Sequence, residues 1–149
     1  NVIYHNRKPV SKNIENMLKT KYVSENTLYK NSDVISLHVP YNKDTHHLMN
    51  SKIFKKMKKT SFLINTSRGK IVDEKQLVVA LKTKQILGAG MDVYELEPMK
   101  KNNPLLKLEN VVLAPHVGSS TKETRQKMSD ITARNLILGL EGKKLLYSV

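Results

Sequence analysis

The sequence predicts an α/β protein built on a doubly wound parallel sheet, and three observations point there. Short apolar runs of strand length recur at residues 33–39, 61–65, 86–91 and 111–113. Segments with helical spacing or helix-start signals lie between them. The connections are short, and alternation of this kind builds βαβ units whose strands run parallel. No internal repeat, low-complexity tract or linker interrupts the pattern.

Taken in order, residues 1–5 read as a strand that starts without a preceding turn or cap. Residues 13–18 suggest a helix, with Ile14, Met17 and Leu18 at i, i+3 and i+4. A weak strand at 21–23 and a short helical turn at 27–29 follow. The stronger strand 33–39 is halted by Pro40, and Ser51 is the expected cap of a helix running through Met57. After the strand 61–65, Asp73 with Gln76 three residues on forms a capping-box-like start. Leu77, Val78 and Leu81 give that helix its apolar stripe to about Lys84. The strand 86–91 passes through Gly88 and Gly90, a sign of close backbone approach. Residues 102–108 read as a loop with one apolar cluster. The strand 111–113 ends at Pro115, and a long helix runs from about Ser120, with Glu123 three residues on, to about Leu140.

The chain has 149 residues, enough for a real core, and 39% are hydrophobic, as in globular domains. No stretch approaches the roughly 18–20 apolar residues needed to span a membrane, and no signal peptide opens the chain. The absence of cysteine excludes disulfides and thiolate metal sites and fits a reducing compartment. A cytoplasmic protein without a membrane partner or bound metal is the expectation. The net charge of +13 would allow nucleic-acid binding. However, all but four of the 26 basic residues are lysines, spread from Lys8 to Lys144. The one dense run, residues 54–59, lacks interleaved aromatics and reads as a solvated helix end. A preference for anionic small ligands, with no nucleic-acid partner, explains the charge better.

Chemistry concentrates at the ends of three strands. Residues just past the carboxyl ends of parallel strands line the ligand crevice of such sheets. The strand 61–65 leads to Arg68, the strand 86–91 to Asp92 and Glu97, and the strand 111–113 to His116. An arginine is a permanently charged fork suited to a carboxylate or phosphate. A histidine that changes charge near neutral pH, oriented by a carboxylate, can move a proton. Each residue has a bland alternative: a surface ion pair for Arg68, a strand-end cap for Asp92, a pre-proline turn for Glu97, a structural histidine for His116. Their shared order at successive strand ends favours an acid/base site. Ser119 and the residues after it open a helix whose amides could face an anion.

Three motifs carry a family resemblance: residues 65–69 (Asn-Thr-Ser-Arg-Gly), residues 88–98 (Gly-Ala-Gly-Met-Asp-Val-Tyr-Glu-Leu-Glu-Pro) and residues 114–119 (Ala-Pro-His-Val-Gly-Ser). Together they resemble the D-isomer-specific 2-hydroxyacid dehydrogenases, and residues 33–40 with Thr45 fit as well. Residues 103–106 and the terminal helix are most similar to the glyoxylate/hydroxypyruvate reductase branch, with the 2-ketogluconate reductases nearby. The resemblance implies hydride transfer between a nicotinamide cofactor and a small 2-oxo acid, giving a D-2-hydroxy acid. It implies that Arg68 holds the substrate carboxylate and polarises the carbonyl. It makes His116 the general acid, and Glu97 the carboxylate that orients the histidine and favours its charged form. Asp92 would bond the nicotinamide carboxamide. His38, Val39, Pro40, Thr45, Thr66, Ser67, Gly118 and Ser119 would line the cofactor, together with Arg68 and His116. Members of the family are usually homodimers, so a homodimer of the complete protein is expected.

Cofactor choice is read from the turn after the first strand. Asn6-Arg7-Lys8 stands where an NAD enzyme of this family carries an acid for the ribose hydroxyls, and it holds no carboxylate. A 2′-phosphate needs cations and tolerates no neighbouring anion. NADP(H) is therefore expected over NAD(H), which stays open, with Asn6 and Arg7 as principal contacts and Lys8 secondary.

The family's glycine-rich phosphate loop and the strand before it have no counterpart here, and neither does the amino-terminal substrate domain. Residues 1–119 thus read as the carboxyl-terminal part of a Rossmann-type NAD(P)-binding domain. Residues 120–149 read as a long helix and tail returning toward the absent substrate domain. The missing strand would lie centrally, and the segment alone is expected to bind cofactor poorly and turn nothing over. A non-catalytic NAD(P)-sensing, corepressor-like protein on the same fold is the alternative. Retention of Arg68, Glu97 and His116 together favours the enzyme.

Overall fold

The computed structural model describes residues 1–148. They form two compact units, 1–115 and 116–148. In the first unit six strands alternate with four helices. In order these are β1 (Val2–Tyr4), α1 (Lys12–Leu18), β2 (Thr20–Tyr22), α2 (Glu25–Asn31), β3 (Val34–Leu37), α3 (Ser51–Phe54), β4 (Phe62–Asn65), α4 (Glu74–Lys82), β5 (Gly88–Met91) and β6 (Val111–Leu113). Every pairing is parallel, as expected of βαβ units. The strands divide into two sheets, β1-β2 and β3-β4-β5-β6. Between the facing edges of β1 and β3 lies a cleft of about 680 Å³.

The four-stranded sheet is positioned by its apolar residues. Ile35, Leu37, Leu63, Ala89 and Met91 are buried on it, and Ile71, Leu77, Leu81, Ile86 and Leu105 complete the core. In β5 a methyl group on Gly88 would stand 2.9 Å from the Asn110 carbonyl oxygen, and one on Gly90 3.0 Å from Ile64 Cδ1. This is the close approach that the two glycines suggested. Helix α4 starts as expected, with the Asp73 side chain accepting from the Gln76 amide and Leu77, Ala80 and Leu81 turned inward.

The helix expected at 13–18 and the loop expected at 102–108 are present, but local detail differs there and at α3. The stripe of α1 faces outward: Ile14, Met17 and Leu18 are exposed, while Glu15 is only 5% exposed. That carboxylate is the better-satisfied group. It accepts from the Tyr4 hydroxyl, the Tyr22 amide and the Lys12 ammonium, joining α1 to both strands of the small sheet. Helix α3 is capped by Asn50, not Ser51, and ends at Phe54 well before Met57. The loop at 102–108 contains a 3₁₀ turn, Pro104–Lys107, capped by Asn103 and anchored by buried Leu105.

The second unit holds the long helix α5 (Lys122–Leu140), capped by Thr121 one residue beyond the expected start. The Asn135 side chain bonds the backbone of Leu146 and Tyr147, folding the tail back onto α5. Among the described residues no helix is long and apolar enough to cross a membrane.

Candidate active site and cofactor cleft

Strands β4, β5 and β6 are parallel neighbours, so their carboxyl ends share one edge of the sheet. At the end of β4 the buried Asn65 builds the turn. Its Nδ2 donates to the Arg68 carbonyl and its Oδ1 accepts from the Ser67 amide. Ser67 donates its hydroxyl to the Leu37 carbonyl at 2.6 Å, fastening this turn to the end of β3. Thr66 is exposed on the same turn. Arg68 is exposed too, and its Nη1 donates to the Ser67 carbonyl.

At the end of β5, Asp92 is 7% exposed, and its amide donates to the Asn65 carbonyl. Asn65 thus joins the turn after β4 to the start of the loop after β5. Glu97 is exposed, accepts from the Tyr94 amide, and precedes a cis bond to Pro98. The Tyr94 hydroxyl donates to the Met91 and Ala114 carbonyls, bracing the ends of β5 and β6. Burial pushes the Tyr94 hydroxyl pKa up, the Ala114 contact opposes this, and Asp92, Glu74 and Glu97 add to the rise. Arg68, Asp92 and Glu97 therefore stand on two adjacent strand ends of the first unit.

His116 opens the second unit, exposed and in a left-handed backbone conformation (φ 56°). The exposed Gly118 and Ser119 follow, in a turn closed by the Ser120 amide donating to the Val117 carbonyl.

Of the expected cofactor residues of the first unit, five line the cleft, while Thr66, Ser67, Arg68 and Asp92 lie elsewhere on the strand ends. Asn6 and Arg7 line it from the end of β1, and His38, Val39 and Pro40 line it from the end of β3. The Tyr22 hydroxyl donates to the Asn6 carbonyl, and Asn6 Oδ1 accepts from the Arg7 amide, which fixes the basic turn. Lys8 is not among the lining residues. Thr45 lies outside the cleft and holds its rim, its hydroxyl donating to the Pro40 carbonyl. Arg7 brings to this cleft a guanidinium, a group suited to binding a phosphate.

Sequence reasoning missed one cluster beside this site. The ring of His47 lies 3.1 Å from Glu95 and 3.8 Å from Asp73. Glu95 and Glu74 exchange backbone-to-carboxylate hydrogen bonds, and Asn103 donates to Glu74. The spacing of these residues gives no local signal; only the tertiary fold brings them together.

Comparison with known proteins agrees with this architecture. The profile of the D-isomer specific 2-hydroxyacid dehydrogenase, NAD binding domain, family matches residues 1–118. The chain is 51% identical over 123 residues to a glyoxylate reductase of Thermofilum pendens, covering 83% of this chain and 36% of that protein. It is 49% identical over 144 residues to one of Thermococcus litoralis, covering 95% and 42%. The crystal structure of a glyoxylate reductase from Paecilomyes thermophila superposes with a TM-score of 0.92 at 39% identity, covering 100% of this chain and 44% of that one. The chain thus spans less than half the length of these relatives. With that match over most of its length, the chain belongs to the D-isomer specific 2-hydroxyacid dehydrogenase family, as a Rossmann-type domain for a nicotinamide cofactor.

Proposed function

We propose that the full-length protein reduces a small 2-oxo acid of the glyoxylate or hydroxypyruvate type to a D-2-hydroxy acid, using NADPH in preference to NADH. The observation that carries this reading is the grouping of Arg68, Asp92 and Glu97 on adjacent strand ends of a sheet whose cleft is mouthed by Asn6 and Arg7. A bound nicotinamide supplies the hydride. Arg68 binds the substrate carboxylate and presents positive charge to the carbonyl oxygen, where negative charge grows as the ketone is reduced. His116 donates the proton to that oxygen, and Glu97 favours the charged form of the imidazole. Asp92 orients the nicotinamide through its carboxamide.

The cofactor preference rests on charge. The turn Asn6-Arg7-Lys8 offers cations and no carboxylate, which suits a 2′-phosphate and leaves the ribose hydroxyls of NADH without a carboxylate acceptor. The relatives named glyoxylate reductase support the substrate class. Steady-state assays of the full-length protein with glyoxylate, hydroxypyruvate and 2-ketogluconate, each with NADPH and NADH, test both parts. Reduction of none of the three defeats the activity. A higher kcat/KM with NADH defeats the cofactor assignment.

A further inference from the structure

We propose that His47 is a positioning residue of this site: its ring holds Glu95, and thereby sets the segment bearing Asp92 and Glu97 against the turn bearing Arg68. The inference rests on the reductase reading above.

The backbone prepares the contact. His47 is held at φ 50°, a conformation that a non-glycine residue adopts when its surroundings impose it. Its amide donates to the Lys70 carbonyl at 2.9 Å, the Met49 amide to Ile71 at 3.0 Å, and the Asp73 amide back to Met49 at 2.9 Å. Residues 47–49 are thus laid alongside residues 70–73, immediately after Arg68. His47 Nε2 lies 3.1 Å from Glu95 Oε1 and Nδ1 lies 3.8 Å from Asp73 Oδ2. The other face of the ring stacks on His46, 3.9 Å between centroids, and His46 in turn meets Tyr41.

Hydrogen bonding explains what the ring does there. Asp73, Glu74 and Glu95 lie together, and Glu74 and Glu95 are bound to each other through backbone amides. His47 Nε2, 3.1 Å from Glu95 Oε1, is placed to donate a hydrogen bond to that carboxylate, which ties Glu95 to residues 47–49. Glu95 lies between Asp92 and Glu97, three residues after the first and two before the second, so a shift of Glu95 carries both with it. His47 and Glu95 are each about one-third exposed (35% and 32%), so the pair adds little to global stability. Its effect is on placement, where a small error is costly.

The test uses the full-length protein with His47→Asn, Glu95→Gln and the double variant. Asparagine tolerates the left-handed backbone but cannot reach Glu95, so it removes the ring and keeps the turn. The expected result for His47→Asn is a kcat on a 2-oxo acid lowered roughly 10- to 100-fold, with an unchanged thermal midpoint and unchanged NADPH affinity. The double variant should be no worse than the poorer single. Hydrogen exchange at residues 92–97 should quicken in both singles. An unchanged kcat, unchanged exchange, or fully additive losses overturn the proposal. If the wild-type protein reduces no 2-oxo acid, the reductase reading falls, and exchange alone then decides whether His47 holds this segment.

Discussion

Gly69 is pressed against the peptide bond that joins Tyr94 to Glu95. A methyl group built on its α-carbon would lie 1.9 Å from the Tyr94 carbonyl carbon and 1.9 Å from its oxygen. The residue after the site arginine therefore has backbone, not a side chain, as its neighbour. Backbone cannot rotate out of the way, so Gly69→Ala must push apart the loops after β4 and β5. We expect a loss of about 1–3 kcal/mol of stability or more, with reduced activity in whatever folds. Thermal unfolding of the full-length protein measures it, and an unshifted midpoint would contradict the contact.

His116 and Arg68 should fail differently. Loss of a general acid slows the chemical step, so His116→Ala should lower kcat by roughly 10²-fold or more. Loss of a carboxylate-binding cation weakens substrate binding, so Arg68→Ala should mainly raise KM. Saturation curves for a 2-oxo acid separate the two, and an unchanged kcat in His116→Ala would remove the histidine from the chemistry.

The basic turn at the cleft mouth predicts cofactor selectivity. Arg7→Ala should raise the KM for NADPH by about tenfold, the loss of one charged hydrogen bond, and leave the KM for NADH nearly unchanged. Equal effects on both cofactors would show that Arg7 does not read the 2′-phosphate.

Glu15 makes the small sheet sensitive to acid. The hydrogen bond from the Lys12 ammonium holds its carboxyl below the usual carboxylate range; burial opposes this, and the Tyr22 amide and Tyr4 hydroxyl reinforce it. For a carboxylate depressed in the folded state, the stabilisation is present above the unfolded pKa and is lost as pH falls through the folded one. The Tyr22 amide, which donates to Glu15 at 3.0 Å, should therefore lose protection against hydrogen exchange as pH falls below the ordinary carboxylate range. In Glu15→Gln that acid-dependent step should vanish. A step of the same size in the variant would assign it to another group.

Much of this architecture is legible in the residues, and the gaps have identifiable physics. Strands β3 to β6 are short apolar runs, with β4 and β5 flanked on both sides, so composition suffices to find them. Helix α4 announces itself by its Asp73 cap. Helix α1 misleads because three apolar residues at helical spacing look like a core face. One carboxylate with three donors outweighs them, and those donors come partly from strands up to 11 residues away. Arg68, Asp92 and Glu97 are legible because parallel topology alone brings strand ends together. The contact between His47 and Glu95 is not, since 48 positions separate them and no periodicity links them.

The facing rims of β1 and β3 bear on how the molecule behaves in a test tube. Val2 and Val34, 63% and 58% exposed, sit on strands that each have one hydrogen-bonded neighbour among the described residues. Parallel rims of this kind recruit any extended chain that offers a matching ladder. Left uncovered, this pair would act as a template for self-association, so clumping in concentrated solution should begin here and not at the lysine-rich exterior.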